Sequence, residues 1–183
     1  VIQIGSIEEL QKIGNDSGYP LNGEYELKGS IDAAATLNWN GGAGFKPIGT
    51  ASNMFVGKFN GNGYKIINLY INRFSDNYLG LFGYISSGAE IKNLGLEDCL
   101  IVGGSYVGGL LGYNGSSATV SNCYSMGLVS GFGSNVGGLI GYNYKGIVSN
   151  SYSKGSVSGH SSCIGGLIGV TWEGEVNACY SNT

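Results

Sequence analysis

The groups that could do acid, base or nucleophilic chemistry are few and unevenly placed. All twelve Asp and Glu residues lie outside residues 99–172. Glycoside hydrolysis uses two carboxylates placed across the scissile bond. The acids do pair locally, as Glu8 with Glu9, Glu24 with Glu26, Glu97 with Asp98 and Glu173 with Glu175. Residues two apart on a strand share a face, so Glu24/Glu26 and Glu173/Glu175 would each form a carboxylate pair there. A lyase that abstracts a proton beside a uronate would want a dense cluster of bases. Residues 99–172 offer only Lys145, Lys154 and His160. The expectation is therefore solvated surface charge and no catalytic residue.

His160 is the sole histidine and sits among Ser158, Gly159, Ser161, Ser162 and Cys163. Triads are assembled in space and need an orienting partner, and no acid is near in sequence. An exposed loop histidine is expected. The four cysteines, at 99, 123, 163 and 179, contain no CxxC pair, which argues against zinc. The expectation is buried thiols without a disulfide. No Asp-rich calcium loop, no HExxH and no Gly-Lys-Ser/Thr phosphate loop is present. No metal and no cofactor is expected.

Tyrosine is the remaining candidate. Thirteen are present, and two sets recur in step: Tyr84, Tyr113, Tyr142 and Tyr124, Tyr152, Tyr180. Each set should run up one side of a stacked structure. Its preferred role is coil-to-coil stacking. The functional alternative is a ligand-contact stripe for sugar or protein, carried by Tyr113, Tyr142, Tyr124 and Tyr152.

The elements that hold these residues follow from a repeat. Tyr78-Leu79-Gly80-Leu81-Phe82-Gly83, Val107-Gly108-Gly109-Leu110-Leu111-Gly112, Val136-Gly137-Gly138-Leu139-Ile140-Gly141 and Ile164-Gly165-Gly166-Leu167-Ile168-Gly169 are one phrase. Leu81, Leu110, Leu139 and Leu167 are spaced by 29, 29 and 28. A fixed period of this size means one unit stacked on copies of itself. A second phrase follows each time, as in Val120-Ser121-Asn122-Cys123-Tyr124-Ser125 and Val148-Ser149-Asn150-Ser151-Tyr152-Ser153. A third includes Gly127-Leu128-Val129-Ser130-Gly131. Three short β-like segments per period describe one coil of a three-sided solenoid. The fold expected is all-β, a right-handed parallel β-helix of about 28 residues per coil, its hand set by the crossover rule. Gly83, Gly112, Gly141 and Gly169 form a column suited either to corners with positive φ or to close approach between coils.

One domain is expected over residues 1–183. Residues 1–20 read as a cap, 21–77 as degenerate first coils and 78–183 as the clear repeats. Ser6 and Glu9 make a capping box and Gly14 a stop, so a short helix over 6–14 should cover the open end of the core. No such cap is written at the other end. The parent protein is expected to continue past Thr183, leaving this piece monomeric with further residues C-terminal to it.

Composition bounds the partners. Charged residues are 11%, well below the ~25% of an average soluble domain. The net charge is −3, and the nine Lys and Arg form no basic patch for nucleic acid. No run of 18 apolar residues exists to insert in a membrane.

The Gly-Gly-Leu-x-Gly phrases at 108–112, 137–141 and 165–169, with Gly80-Leu81-Phe82-Gly83 as a diverged copy, resemble the GLUG motif family. The Asn-Cys-Tyr-Ser and Asn-Ser-Tyr-Ser phrases, and the lead-in from Lys46-Pro47-Ile48-Gly49 to Phe59-Asn60-Gly61-Asn62-Gly63, resemble it too. The resemblance implies a β-helical segment of a large bacterial surface or secreted protein, such as an adhesin or the non-catalytic part of an IgA1-specific metallopeptidase. It implies no catalytic residue. The expected role is a non-enzymatic structural or adhesive module, outside the cell or on its surface, meeting host or matrix protein or glycan. A carbohydrate-active enzyme on the same fold and a substrate-recognition segment of a secreted protease are the alternatives.

Overall fold

The computed structural model describes residues 1–183. The protein winds as a parallel β-solenoid, and every rung-to-rung strand pairing is parallel. One coil illustrates the rest: Val107–Gly108, Leu111–Asn114, Thr119–Ser121 and Tyr124–Gly131. The period thus holds four strands instead of three, because the glycine phrase is itself broken by a bend at Gly109 and Leu110. That bend lets two consecutive residues, Leu110 and Leu111, both enter the core.

Three sides result. A long side stacks Gly95–Gly103, Tyr124–Gly131, Tyr152–Gly159 and Tyr180–Asn182. A short side stacks seven strands from Ile2–Ile4 to Glu175–Asn177. The glycine side stacks the broken phrases.

The corners turn through left-handed backbone supplied mainly by residues other than glycine, with Gly88 joining Ser87 at one of them. Tyr78, Tyr106, Asn135 and Cys163 hold φ of 59 to 65° at one corner. Ser87, Ser117, Lys145 and Glu173 hold φ of 50 to 61° at the second, and Asn93, Asn122, Asn150 and Ala178 hold 48 to 53° at the third. Asn tolerates this region through local hydrogen bonding. The other types are held there by backbone hydrogen bonds to neighbouring rungs, such as the Ser117 N–H to the Lys145 carbonyl. Gly83, Gly112, Gly141 and Gly169 answer a different need. A Cβ on Gly112 would lie 2.6 Å from the Leu79 amide nitrogen, and one on Gly141 2.6 Å from that of Val107. Close approach of neighbouring coils is what excludes a larger residue there.

The core is one cluster of 36 buried residues. Phenylalanines fill its wider N-terminal part, with Phe55 and Phe59 packed on Phe82 at 5.2 and 5.5 Å between ring centres. Ile, Leu and Val fill the later coils. Full burial of each such residue contributes about 1.5–3 kcal/mol.

The N-terminal end is closed by helix α1, Ile7–Lys12. Ser6 Oγ accepts from the Glu9 amide at 3.2 Å. The Glu9 carboxylate accepts from the Gly5 amide at 2.7 Å, one residue before the expected partner. Two features of this end were not legible. Ile2–Ile4 precedes the helix as a rung paired with Tyr25 to Leu27. A 3₁₀ segment, Ala34–Gly42, breaks at Trp39 into extended backbone.

The cysteines need correction. Cys99 and Cys123 are buried, but Cys163 is exposed on its corner and Cys179 only partly covered. Cys163 occupies a left-handed corner and is exposed there, and Cys179 is covered from the side of Val148, whose carbonyl its thiol meets. All four are free thiols.

A candidate aromatic binding face

Strand register places Tyr84, Tyr113 and Tyr142 in one column of the glycine side. The rings of Tyr84 and Tyr113 stack with centres 4.2 Å apart, those of Tyr113 and Tyr142 at 5.2 Å. The adjacent corner adds a second pair: Tyr78 and Tyr106 stack at 4.7 Å. The columns interlock through tilted and edge contacts, Tyr78 to Tyr84 at 5.4 Å and Tyr106 to Tyr142 at 5.8 Å. Tyr144 joins at 6.4 Å from Tyr113. Six half-buried tyrosines thus form one continuous surface.

Sequence reasoning found three of the six. Tyr78 and Tyr106 are 28 apart, but Asn135 and Cys163 continue their column, so a two-member series carried no visible signal. Beside Tyr78 the surface dips into a cavity of about 210 Å³ lined by Arg73, Asp76 and Asn77, among others. Arg73 donates to the Phe45 carbonyl and pairs with Asp76 at 3.5 Å.

Tyr124, Tyr152 and Tyr180 stack separately on the long side, with centres 5.0 Å apart at each step. The two ladders are not brought together. The Tyr124 ring lies where a side chain on Gly95 would sit, so this glycine makes room for the foot of the ladder. The Tyr124 hydroxyl donates to Glu97 at 2.9 Å, and Lys65 donates to the other carboxylate oxygen at 2.7 Å.

Burial holds several of these phenols above their ordinary value. Burial, with the neighbouring Tyr84 second, pushes Tyr113 well above the ordinary phenol value. Burial and then the Glu97 hydrogen bond push Tyr124 up to about 12. Tyr78 and Tyr142 are raised by burial as well. Neutral stacked phenols present ring faces and O–H groups rather than a nucleophile or base. The thiol of Cys123 is likewise pushed up to about 12 by burial.

Three of the locally paired acids, Glu24, Glu97 and Glu173, form ion pairs with lysines. Glu24 meets Lys58 at 2.9 Å and Glu173 meets Lys145 at 3.1 Å. Glu26 bonds to Gln3. No three His, Cys, Asp or Glu residues come together as a metal-binding group. His160 lies on an exposed loop, its ring stacked on Phe132 at 5.2 Å.

One buried polar column was missed by sequence reasoning. Asn114 Nδ2 donates to Asn143 Oδ1 at 2.8 Å inside the core, and Asn143 Nδ2 donates to the Gly146 carbonyl. Asn114 Oδ1 has no partner. The Asn114 amide donates up to the next coil, and the coil below offers Ile85 in register. Asn114 is the foot of the column and has no donor beneath it.

Residues 132–158 match the GLUG motif. That stretch is one coil, from the corner loop at Phe132 through the phrase at Val136 to the long strand. A 109-residue segment is 39% identical to halomucin of Haloquadratum walsbyi, covering 58% of this chain and 1% of that protein. A 91-residue segment is 42% identical to a proposed Gly-rich membrane protein of Evansella cellulosilytica, covering 49% and 10%. The sequence thus spans a small fraction of either relative. A solved structure of a proposed immunoglobulin A1 protease from Bacteroides ovatus superposes with a TM-score of 0.62 at 19% identity, over 97% of this chain and 62% of the other. That likeness is one of fold. No helix is long and apolar enough to cross a membrane.

Proposed function

We propose that this segment is a non-enzymatic repeat module of an extracellular or cell-surface protein, presenting a contact surface to host or matrix protein or to glycan. The observation that carries the reading is the tyrosine surface of Tyr78, Tyr84, Tyr106, Tyr113, Tyr142 and Tyr144. Rigid aromatic area with O–H groups at its rim is a low-entropy contact surface. Coils stacked ~4.8 Å apart repeat the contact at regular height. The names of the halomucin and membrane-protein relatives support a place at the cell surface.

The test is binding to a glycan array and to immobilised matrix proteins, before and after Tyr113→Ala with Tyr142→Ala, with circular dichroism to confirm folding. Loss of binding in a folded variant supports the reading; unchanged binding removes these tyrosines from it. Release of reducing ends from a glycan panel would replace the module with an enzyme. One observation favours a second reading, a substrate-recognition segment of a larger secreted protease: the fold neighbour is a proposed protease. Binding restricted to immunoglobulin A1 would select it.

A further inference from the structure

The largest cavity lies away from the tyrosines, at the N-terminal cap. It has a volume of about 470 Å³ and is lined by Glu8, Gln11, Asn15, Trp39, Asn40 and Lys46. Both walls are held in place. On one, the Gln11 amide clamps the Lys46 backbone, accepting from its N–H at 2.8 Å and donating to its carbonyl at 2.9 Å. Lys46 Nζ donates to Asn15 Oδ1 at 2.9 Å. On the other, Trp39 stands at the break of the 3₁₀ segment. Its ring is braced on buried Phe45, with centres 6.5 Å apart. Asn40, Gly41, Gly42 and Gly44 all follow with φ between 53 and 89°. A Cβ on Gly41 or Gly42 would meet nothing within 4 Å, so these glycines serve the backbone path and not packing. Asn40 Nδ2 closes the loop on the Gly44 carbonyl at 2.7 Å. Glycine takes these angles freely and Asn tolerates them, so the loop reaches this path beside the cavity without strain.

The unused groups indicate the ligand. Glu8 and Asn40 are exposed and Trp39 is half-buried, so the Glu8 carboxylate, the Asn40 amide oxygen and the Trp39 indole N–H are open to solvent and to a ligand. They line one open depression beside the indole, of a volume within the ~300–1,000 Å³ of small-molecule sites. Glu8 opposes a phosphate or other anion, and Lys46 opposes an organic cation. A wholly apolar ligand would leave the polar rim unpaired. What satisfies all of them is a neutral polyol with one C–H face. We propose that this cap cavity is a binding site for a neutral saccharide unit, with Trp39 as the stacking platform and Glu8 and Asn40 accepting from ring hydroxyls. The site is separate from the tyrosine surface and does not depend on it.

The protein has two tryptophans, so Trp172→Phe leaves Trp39 as the only indole emitter. This variant is titrated with neutral hexaoses of glucose, galactose, mannose and xylose, and with inorganic phosphate and tetramethylammonium as counter-probes. The expected result is a saturable change in emission with at least one hexaose and with neither counter-probe. Saturation-transfer NMR then reads Trp39→Ala, expected to weaken that hexaose more than about tenfold, and Glu8→Gln, expected to weaken it several-fold. Glu8 is exposed, so that second variant remains informative if the first does not fold. Tyr113→Ala with Tyr142→Ala should leave the affinity unchanged, which separates failure of this site from failure of the tyrosine surface. No response to any hexaose, a response to a counter-probe alone, or undiminished binding in folded Trp39→Ala would each overturn the proposal.

Discussion

Val136-Gly137-Gly138-Leu139-Ile140 and Ile164-Gly165-Gly166-Leu167-Ile168 are nearly the same words, yet they live in different environments. Leu139 and Ile140 are wholly buried, whereas Leu167 and Ile168 are only partly covered. Val148 is 0% exposed and its register partner Val176 is 41% exposed. The difference is one rung. A solenoid coil buries its apolar residues against the coil below and the coil above, and within residues 1–183 the C-terminal coil is packed on one side only. At the other end, α1 and the rung Ile2–Ile4 supply the missing neighbour, and Leu27 is wholly buried. Burial is therefore a property of position in the stack more than of the coil's own sequence.

The comparison breaks most sharply at the close-approach glycines. Gly141→Val forces a branched group against the Val107 and Gly112 backbone of a coil held from both sides. A loss of about 4 kcal/mol or more is expected there, at the exceptional end for single substitutions. Gly169→Val meets similar atoms of the coil below, and in the isolated segment 1–183, where its coil is packed on one side only, about half that loss is expected. Urea midpoints compare them; equal losses would mean the last coil is as constrained as the middle one. Next in size, Leu139→Ala should cost about 2–5 kcal/mol, while Leu167→Ala should cost less than half as much because its site is already partly wet. Amide exchange sharpens the same point: strands Ile164–Gly165 and Tyr180–Asn182 should exchange by local opening, and Val136–Gly137 near the global limit.

A smaller effect is expected at the buried amide column. Asn143→Leu leaves Asn114 Nδ2 without its acceptor, which should cost about 1–3 kcal/mol. A thermal melt reads it. No loss would show that the column adds nothing. The last and mildest effect is with pH. The folded pKa values of Tyr113 and Tyr124 lie above the ordinary phenol value of 10.0. Their contribution is complete below pH 10 and is lost as pH rises toward about 12, the value for Tyr124, because the unfolded state releases those protons first. Stability should fall across that window, and less steeply in Tyr113→Phe with Tyr124→Phe.

The parallel stack and the column of leucines were legible because they recur at a period that only a stack can satisfy, whereas the fourth strand made by the bend in the glycine phrase was not. The assignment of corners was less so. Both glycine and asparagine recur in step, and either can adopt positive φ. Only the approach of Gly112 to Leu79, and the observed φ of Asn122, separate the two roles. Lys145 and Glu173 at left-handed corners carry no local signal at all, since rung hydrogen bonds impose a conformation their types do not favour. The candidate surface was half legible. Tyr84, Tyr113 and Tyr142 were visible as a series, but joining them to Tyr78 and Tyr106 requires knowing that a corner column lies beside a strand column. Trp39 and the amides around its cavity come from 3₁₀ turns, helix and loop that share no period.

By itself the sequence determined the solenoid, because a repeated arrangement of apolar and small residues has one economical way to bury itself. Only the tertiary structure decided which coil is fully buried, which tyrosines meet and where an aromatic ring faces a cavity. Those depend on neighbours that are distant in sequence and one rung away in space.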